Sequence, residues 1–334
     1  GSEMCIRDRD TITDPTGTTA KKLVVCCLPI ALISVIMTFA NMIDMLTVNP
    51  CIKTAMKASP HTFDSLLSDK LTTDMLPNFI YGSYIGLAVT VFGLVPTITA
   101  MFGKSILPSL AESCAKNDKK AMQSGLTKML IVTSIIAIPA GMGIAVLSEP
   151  ILRFLFGGRE TEIQVCIMPM SILGIAVIFL AIATPCFAIL QTLGKPHKAI
   201  IIMLTGGIIK LFLNIILIRQ PIINISGAAI STLVSEVFIC ALSVRSVCKM
   251  TDLKPKVSEI FVKPTYAAIM CSVTAVLSHE TLTKIANLQI NHRFVTLFSI
   301  GIGSTMYFFC LYLLCETPKN IVNYIFSKKN PQNP

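Results

Sequence analysis

Asn41 and Asp44, Lys210 and Asn214, and Glu236 are polar or ionisable side chains set inside long apolar runs. Asn41 and Asp44 are three residues apart and Lys210 and Asn214 four apart, so each pair shares one face of a helix. A charged side chain at the centre of a bilayer costs about 2.5–3.5 kcal/mol on insertion scales, which makes each such residue a candidate for function. Two readings stand side by side for Lys210 and Glu236. They form a neutralising ion pair that fixes two helices together, or Lys210 faces a cavity toward an anionic substrate. Asn41 and Asp44 either line that cavity or hydrogen-bond helix to helix.

Other chemistry is poorly served. The histidines His61, His197, His279 and His292 fall in loops or at the ends of apolar runs, with no His-Glu-x-x-His spacing. No Gly-x-x-x-x-Gly-Lys-Ser/Thr loop cradles a nucleotide. Gly301 and Gly303 sit in an apolar run without the strand-turn-helix context of a dinucleotide site, and read as packing residues. The twelve cysteines include no Cys-x-x-Cys pair, and most lie in apolar runs, where cysteine behaves as a small hydrophobe. The expectation is therefore a non-enzyme: no catalytic residues, no metal and no cofactor. The net charge of +10 comes from lysines and arginines in short loops without interleaved aromatics, which argues for lipid head groups as partners and against nucleic acid.

What positions these residues is a set of membrane helices. Of 334 residues 53% are hydrophobic and only 14% charged, against about 25% charged in soluble domains; mean hydropathy is +0.72. The apolar runs make about eight spans, named A to H: 23–48, 79–102, 126–147, 163–190, 199–218, 225–247, 264–282 and 294–315. The fold class is thus an all-α polytopic membrane bundle. Prolines within the spans, such as Pro139, Pro169 and Pro185, are tolerated where neighbours satisfy the carbonyls they free. Gly141, Gly143, Gly206 and Gly207 are expected at close helix contacts. Ile106, Leu107, Leu110, Ala111 and Cys114 recur at helical spacing and predict an amphipathic surface helix. Residues 151–156 predict a short interfacial turn, and residues 49–78 an external loop.

Alternate loops differ in Lys and Arg. One side carries 17, with Lys21, Lys104, Lys195 and Lys249 among them; the other carries 8, including Lys53, Arg153 and Arg219. The richer side is expected to be cytoplasmic, with both ends of the chain on it. Span E then runs outward and places Lys210 about 18 Å from its start; span F runs inward and places Glu236 about 16 Å from its own, at 1.5 Å per residue. In a core about 30 Å thick the two lie at similar depth, which is the basis of the predicted pair. Residues 1–10 are highly charged, unlike the rest of the chain, and resemble translated sequencing-adaptor read-through. Residues 1–20 are expected to be non-native or disordered, with the chain beginning mid-protein.

Several stretches resemble one family. Leu28-Pro29-Ile30 with Asn41-Met42-Ile43-Asp44, Lys104 to Glu112 followed by Lys116-Asn117-Asp118, Leu147 to Gly157, Leu190 to Pro196, and Ser226-Gly227-Ala228-Ala229-Ile230-Ser231 are similar, in order and spacing, to the stage V sporulation protein B type of polysaccharide transporter. That type belongs to the multidrug/oligosaccharidyl-lipid/polysaccharide flippase superfamily. The resemblance implies a second six-helix lobe (21–250), two additional transmembrane helices (251–318) and a cytoplasmic tail (319–334), with the first lobe missing. It implies a cell-membrane protein of cell-wall or spore polysaccharide biosynthesis. The intact protein would flip a lipid-linked sugar or peptidoglycan precursor by alternating access, with membrane lipids and the absent N-terminal lobe as partners. Spans A and B would line the cavity, so that Tyr81 and Tyr84 join Asn41, Asp44, Lys210 and Asn214 as candidates. A cation-coupled multidrug exporter, with Asp44 as the coupling carboxylate, is the rival within transport. A non-transporting membrane scaffold or assembly partner is the rival from another class.

Overall fold

Apolar runs of this length satisfy their backbone groups in lipid only by closing them into helices. The computed structural model does this throughout the described residues, which are 35, 42–59, 72–116, 118–252, 258–286 and 292–314. In chain order the helices are α1 (42–58), α2 (Leu76–Ala115), α3 (Lys119–Val146), α4 (Ser148–Phe156), α5 (Glu160–Thr192), α6 (Pro196–Leu217), α7 (Ser226–Thr251), α8 (Lys263–Ala286) and α9 (His292–Leu314). Seven of them, α2, α3 and α5 to α9, are long and apolar enough to cross a membrane. They match spans B to H. Most of span A lies outside the described residues, but its end is visible in α1.

The structure moves three boundaries. Residues 49–58 continue α1 rather than opening an external loop, and they do so because Val48, Cys51, Ile52 and Ala55 bury one helical stripe in the core. The amphipathic segment after span B is not a separate helix but the last turns of α2, running through Pro108. The expected interfacial turn is the nine-residue helix α4. Within α2, residues Tyr84–Val89 widen to a π-turn.

Helix α5 is the centre of the bundle, packed against α2, α3 and α7; α6 leans on α7, while α8 and α9 pair with each other, α8 resting on α3 and α9 on α4. Small residues set the closest of these approaches. A Cβ on Gly141 would meet the Gly174 carbonyl oxygen at 2.6 Å, and one on Gly174 would meet Ala145 Cα at 2.8 Å. Gly206 likewise faces Ile239 of α7 with no room for a side chain. Gly143, expected at such a contact, has open space around it, and a Cβ on Gly207 would meet Ile43 of α1 at an ordinary 3.6 Å.

The prolines are repaired from neighbouring helices. Pro185 cannot donate to the carbonyl of Ala181, and Thr99 Oγ1 of α2 donates to it instead at 3.2 Å. Pro139 frees the carbonyl of Ile135, and Tyr307 Oη of α9 donates to that one at 2.8 Å. Turn chemistry closes the connections. Gly194, at φ +70, turns α5 into α6 just before Pro196 at the first helical position. Asp118 caps α3 by accepting from the Ala121 amide at 3.0 Å.

Candidate functional site

The polar residues that interrupt the apolar runs meet where α1, α6 and α7 come together. Lys210 reaches the site because Gly206, one turn before it, lets α6 close on Ile239 of α7. Asp44 and Thr47 lie on one face of α1, and Asn214 one turn beyond Lys210 on α6. Lys210 Nζ donates to Asp44 Oδ2 at 2.8 Å. Asn214 Nδ2 donates to Asp44 Oδ1 at 2.9 Å and to Thr47 Oγ1 at 3.1 Å. Its own Oδ1 accepts from Ser231 Oγ of α7. Thr47 in turn donates to the carbonyl of Ile43 at 2.6 Å.

This network is buried and internally complete. Asp44 is 5% exposed, Lys210 9%, and Asn214 and Ser231 are fully buried. Both carboxylate oxygens of Asp44 are occupied, and its charge is balanced by the ammonium. Breaking one partner of such a pair costs far more than the pair contributes over an apolar substitute, because a lone buried charge remains.

Lys210 also borders a cavity of about 360 Å³ between α2, α5, α6 and α7. Phe92, Pro96, Phe187 and Met203 make its walls apolar, and Thr232, Ser235 and Glu236 of α7 supply polar groups. Glu236 lies within electrostatic reach of Lys210. No hydrogen bond joins them, and Glu236 Oε2 is sealed from solvent without a partner.

The predicted Lys210–Glu236 ion pair is therefore corrected. Depth along two adjacent helices brought the two residues to one level but could not rank them against a third helix, and α1 presents Asp44 to the ammonium first. Asn41 lies outside the described residues. Tyr84 is buried beside Thr232, and both Tyr81 and Tyr84 lie within electrostatic reach of Asp44. Sequence reasoning missed Thr47 and Ser231 as site residues. Their signal was present: Thr47 comes three residues after Asp44, and Ser231, Thr232 and Ser235 form a hydroxyl stripe at helical spacing on α7. The eight described cysteines are free thiols. Among the described residues no cluster of three or more His, Cys, Asp or Glu could hold a metal ion.

Comparison with known proteins identifies a family. Residues 80–298 match the family described as lipid II flippase MurJ. The lipid II flippase of Bacillus subtilis is 22% identical over 225 residues, which are 65% of this chain and 40% of that protein. A probable low-salt glycan biosynthesis flippase of Haloferax volcanii is 26% identical over 186 residues, 54% of this chain and 38% of the relative. Stage V sporulation protein B of Bacillus subtilis is 22% identical over 182 residues, 54% of this chain and 34% of the relative. The chain thus spans between about a third and two fifths of the length of these relatives. Among solved structures, a MOP-superfamily transporter from Pyrococcus furiosus superposes with a TM-score of 0.54 at 15% identity, over 87% of this chain and 65% of that one. An outward-facing multidrug-resistance transporter of the MATE family gives 0.53 at 16% identity, with the same coverage. At such identities the likeness is one of fold.

Proposed function

The chain belongs to the lipid II flippase MurJ family, and from that premise we propose that it is one lobe of a transporter that carries a lipid-linked oligosaccharide or peptidoglycan precursor across the cytoplasmic membrane. Residues 21–250 are its second six-helix lobe, 251–318 add two helices, and an N-terminal first lobe completes the substrate path. Both ends face the cytoplasm. The prenyl chain of such a substrate stays in lipid while its polar head group passes through the interior, so the protein must hold polar side chains at membrane depth. The buried Asp44–Lys210–Asn214–Ser231 network carries this reading. It holds three helices of this lobe together at membrane depth, as a lobe that rocks as one body in alternating access requires. Asp44, Lys210, Asn214, Tyr81 and Tyr84 are the candidate cavity residues, with Asn41 beside them in sequence.

The test is complementation. In a cell depleted of its own lipid II flippase, the whole gene that carries this chain should restore growth, and Lys210→Met within it should abolish the rescue. Growth with Lys210→Met equal to the unmodified gene would remove the network from function; no rescue by either would remove the substrate class. Topology has its own check. A cysteine placed at Ser65 should react with an impermeant reagent added outside, and one at Asn117 should be spared.

A further inference from the structure

The sequence offered Asp44 as the carboxylate that a cation-coupled transporter would load and unload. Asp44 is poorly suited to that work, because both of its oxygens are taken, one by Lys210 and one by Asn214. Glu236 is in the opposite position. Its Oε2 is sealed from solvent and accepts no hydrogen bond, its side chain lines the cavity between α2, α5, α6 and α7, and the nearest opposite charge, Lys210, is engaged elsewhere. We propose that Glu236 is a proton-exchanging site, loaded from the cavity and discharged back into it, and that it, rather than Asp44, is the coupling carboxylate of this lobe.

Several observations select a proton over a metal cation. A hard metal cation such as calcium or magnesium takes about six or more oxygen ligands, and the cavity around Glu236 offers few. Thr232 and Ser235 already donate to carbonyls of their own helix, at 2.8 and 2.9 Å. The α2 and α5 walls contribute Val89, Phe92, Leu180 and Phe187, which offer no ligand. Lys210 repels any second cation, whereas a proton needs only one carboxylate oxygen. The titratable groups around Glu236 are Lys210 from α6 and Cys240 on α7 itself; α2 and α5 present apolar side chains to it. Loading transfers a proton from hydronium in the cavity to a carboxylate oxygen, forming one O–H bond and removing one negative charge. Discharge returns it to water. In the loaded state the cavity beside Lys210 is neutral; in the discharged state Glu236 competes with Asp44 for the ammonium. The proton thereby acts on the contact that ties α1 to α6.

The role of this proton in transport rests on the transporter reading, but its binding does not, and infrared difference spectroscopy on the full chain in lipid bilayers measures binding without any flipping. The unmodified protein should show the C=O stretch of a protonated carboxylic acid that fades as pH rises, shifts in D₂O, and is lost in Glu236→Gln. Glu236→Asp keeps the carboxyl and should keep a displaced band, which guards against a Gln variant that fails to fold. A band that is absent at every pH, that never changes with pH, or that survives in a folded Glu236→Gln overturns the proposal. So does bleaching of the band by sodium at constant pH, which would make the site one for a metal cation.

Discussion

The bundle buries polar groups at membrane depth in two kinds of place, and it does so for different reasons. Where α9 meets α3, the Tyr307 hydroxyl donates to the carbonyl that Pro139 leaves unbonded; where α2 meets α5, Thr99 does the same for Pro185. These side chains repair a backbone defect, and the defect explains them. At the α1–α6–α7 junction Pro50 frees the carbonyl of Leu46 in α1, yet none of the network's side chains donates to it. Asp44, Lys210, Asn214 and Ser231 bond chiefly to one another across three helices. A hydrophobic set of the same volume would hold those helices at least as well. A buried polar group with a backbone partner in need is structural. One whose partners are other side chains, beside a cavity, calls for a functional reason.

That contrast orders the expected effects of mutation. Lys210→Met should be the most damaging, at about 3–5 kcal/mol, because it leaves Asp44 as an uncompensated buried charge; thermal unfolding in detergent reads it directly. Gly174→Ala comes next, with overpacking of the α3–α5 contact at about 1–3 kcal/mol, while Gly143→Ala, in open space, should leave the melting temperature unchanged. A melting temperature that falls equally in both would show that the backbone, not the contact, needs glycine. Tyr307→Phe removes one interhelical hydrogen bond and should cost about 0.6–1.7 kcal/mol, the range found for such bonds in membranes. A larger loss would mean that the α9 contact is more than a repair. Lys119→Gln breaks an ion pair with Asp252 whose two side chains are each 72% exposed. No measurable change is expected there, since exposed pairs contribute little.

Much of this was legible in the sequence, and what was not shares a cause. Charge-free runs and loop prolines and glycines placed seven of the helices, because lipid permits no other backbone solution. The π-turn at Tyr84–Val89 and the extension of α1 to residue 58 depend on which helix each turn packs against, and hydropathy carries no such information. The same holds for the site. Spacing put Lys210 and Asn214 on one face and matched Lys210 with Glu236 in depth. Choosing Asp44 over Glu236 required the azimuth of α1 against α6, a tertiary quantity. Glycine spacing was informative at Gly141 and Gly206 and not at Gly143 and Gly207, again because a helix has one contact face and sequence does not mark which.

Whether Lys210 belongs to Asp44 is decided by two double-mutant cycles run in parallel. Thermal stability in detergent would be measured for Asp44→Asn, Glu236→Gln and Lys210→Met, alone and with Lys210→Met added to each of the other two. Strong coupling is expected in the first cycle: the Asp44→Asn/Lys210→Met protein should lose much less stability than its two single variants summed. In the second cycle the losses from Glu236→Gln and Lys210→Met should come much closer to adding. Strong coupling between Lys210 and Glu236, with simple addition for Lys210 and Asp44, would contradict the Lys210–Asp44 pairing.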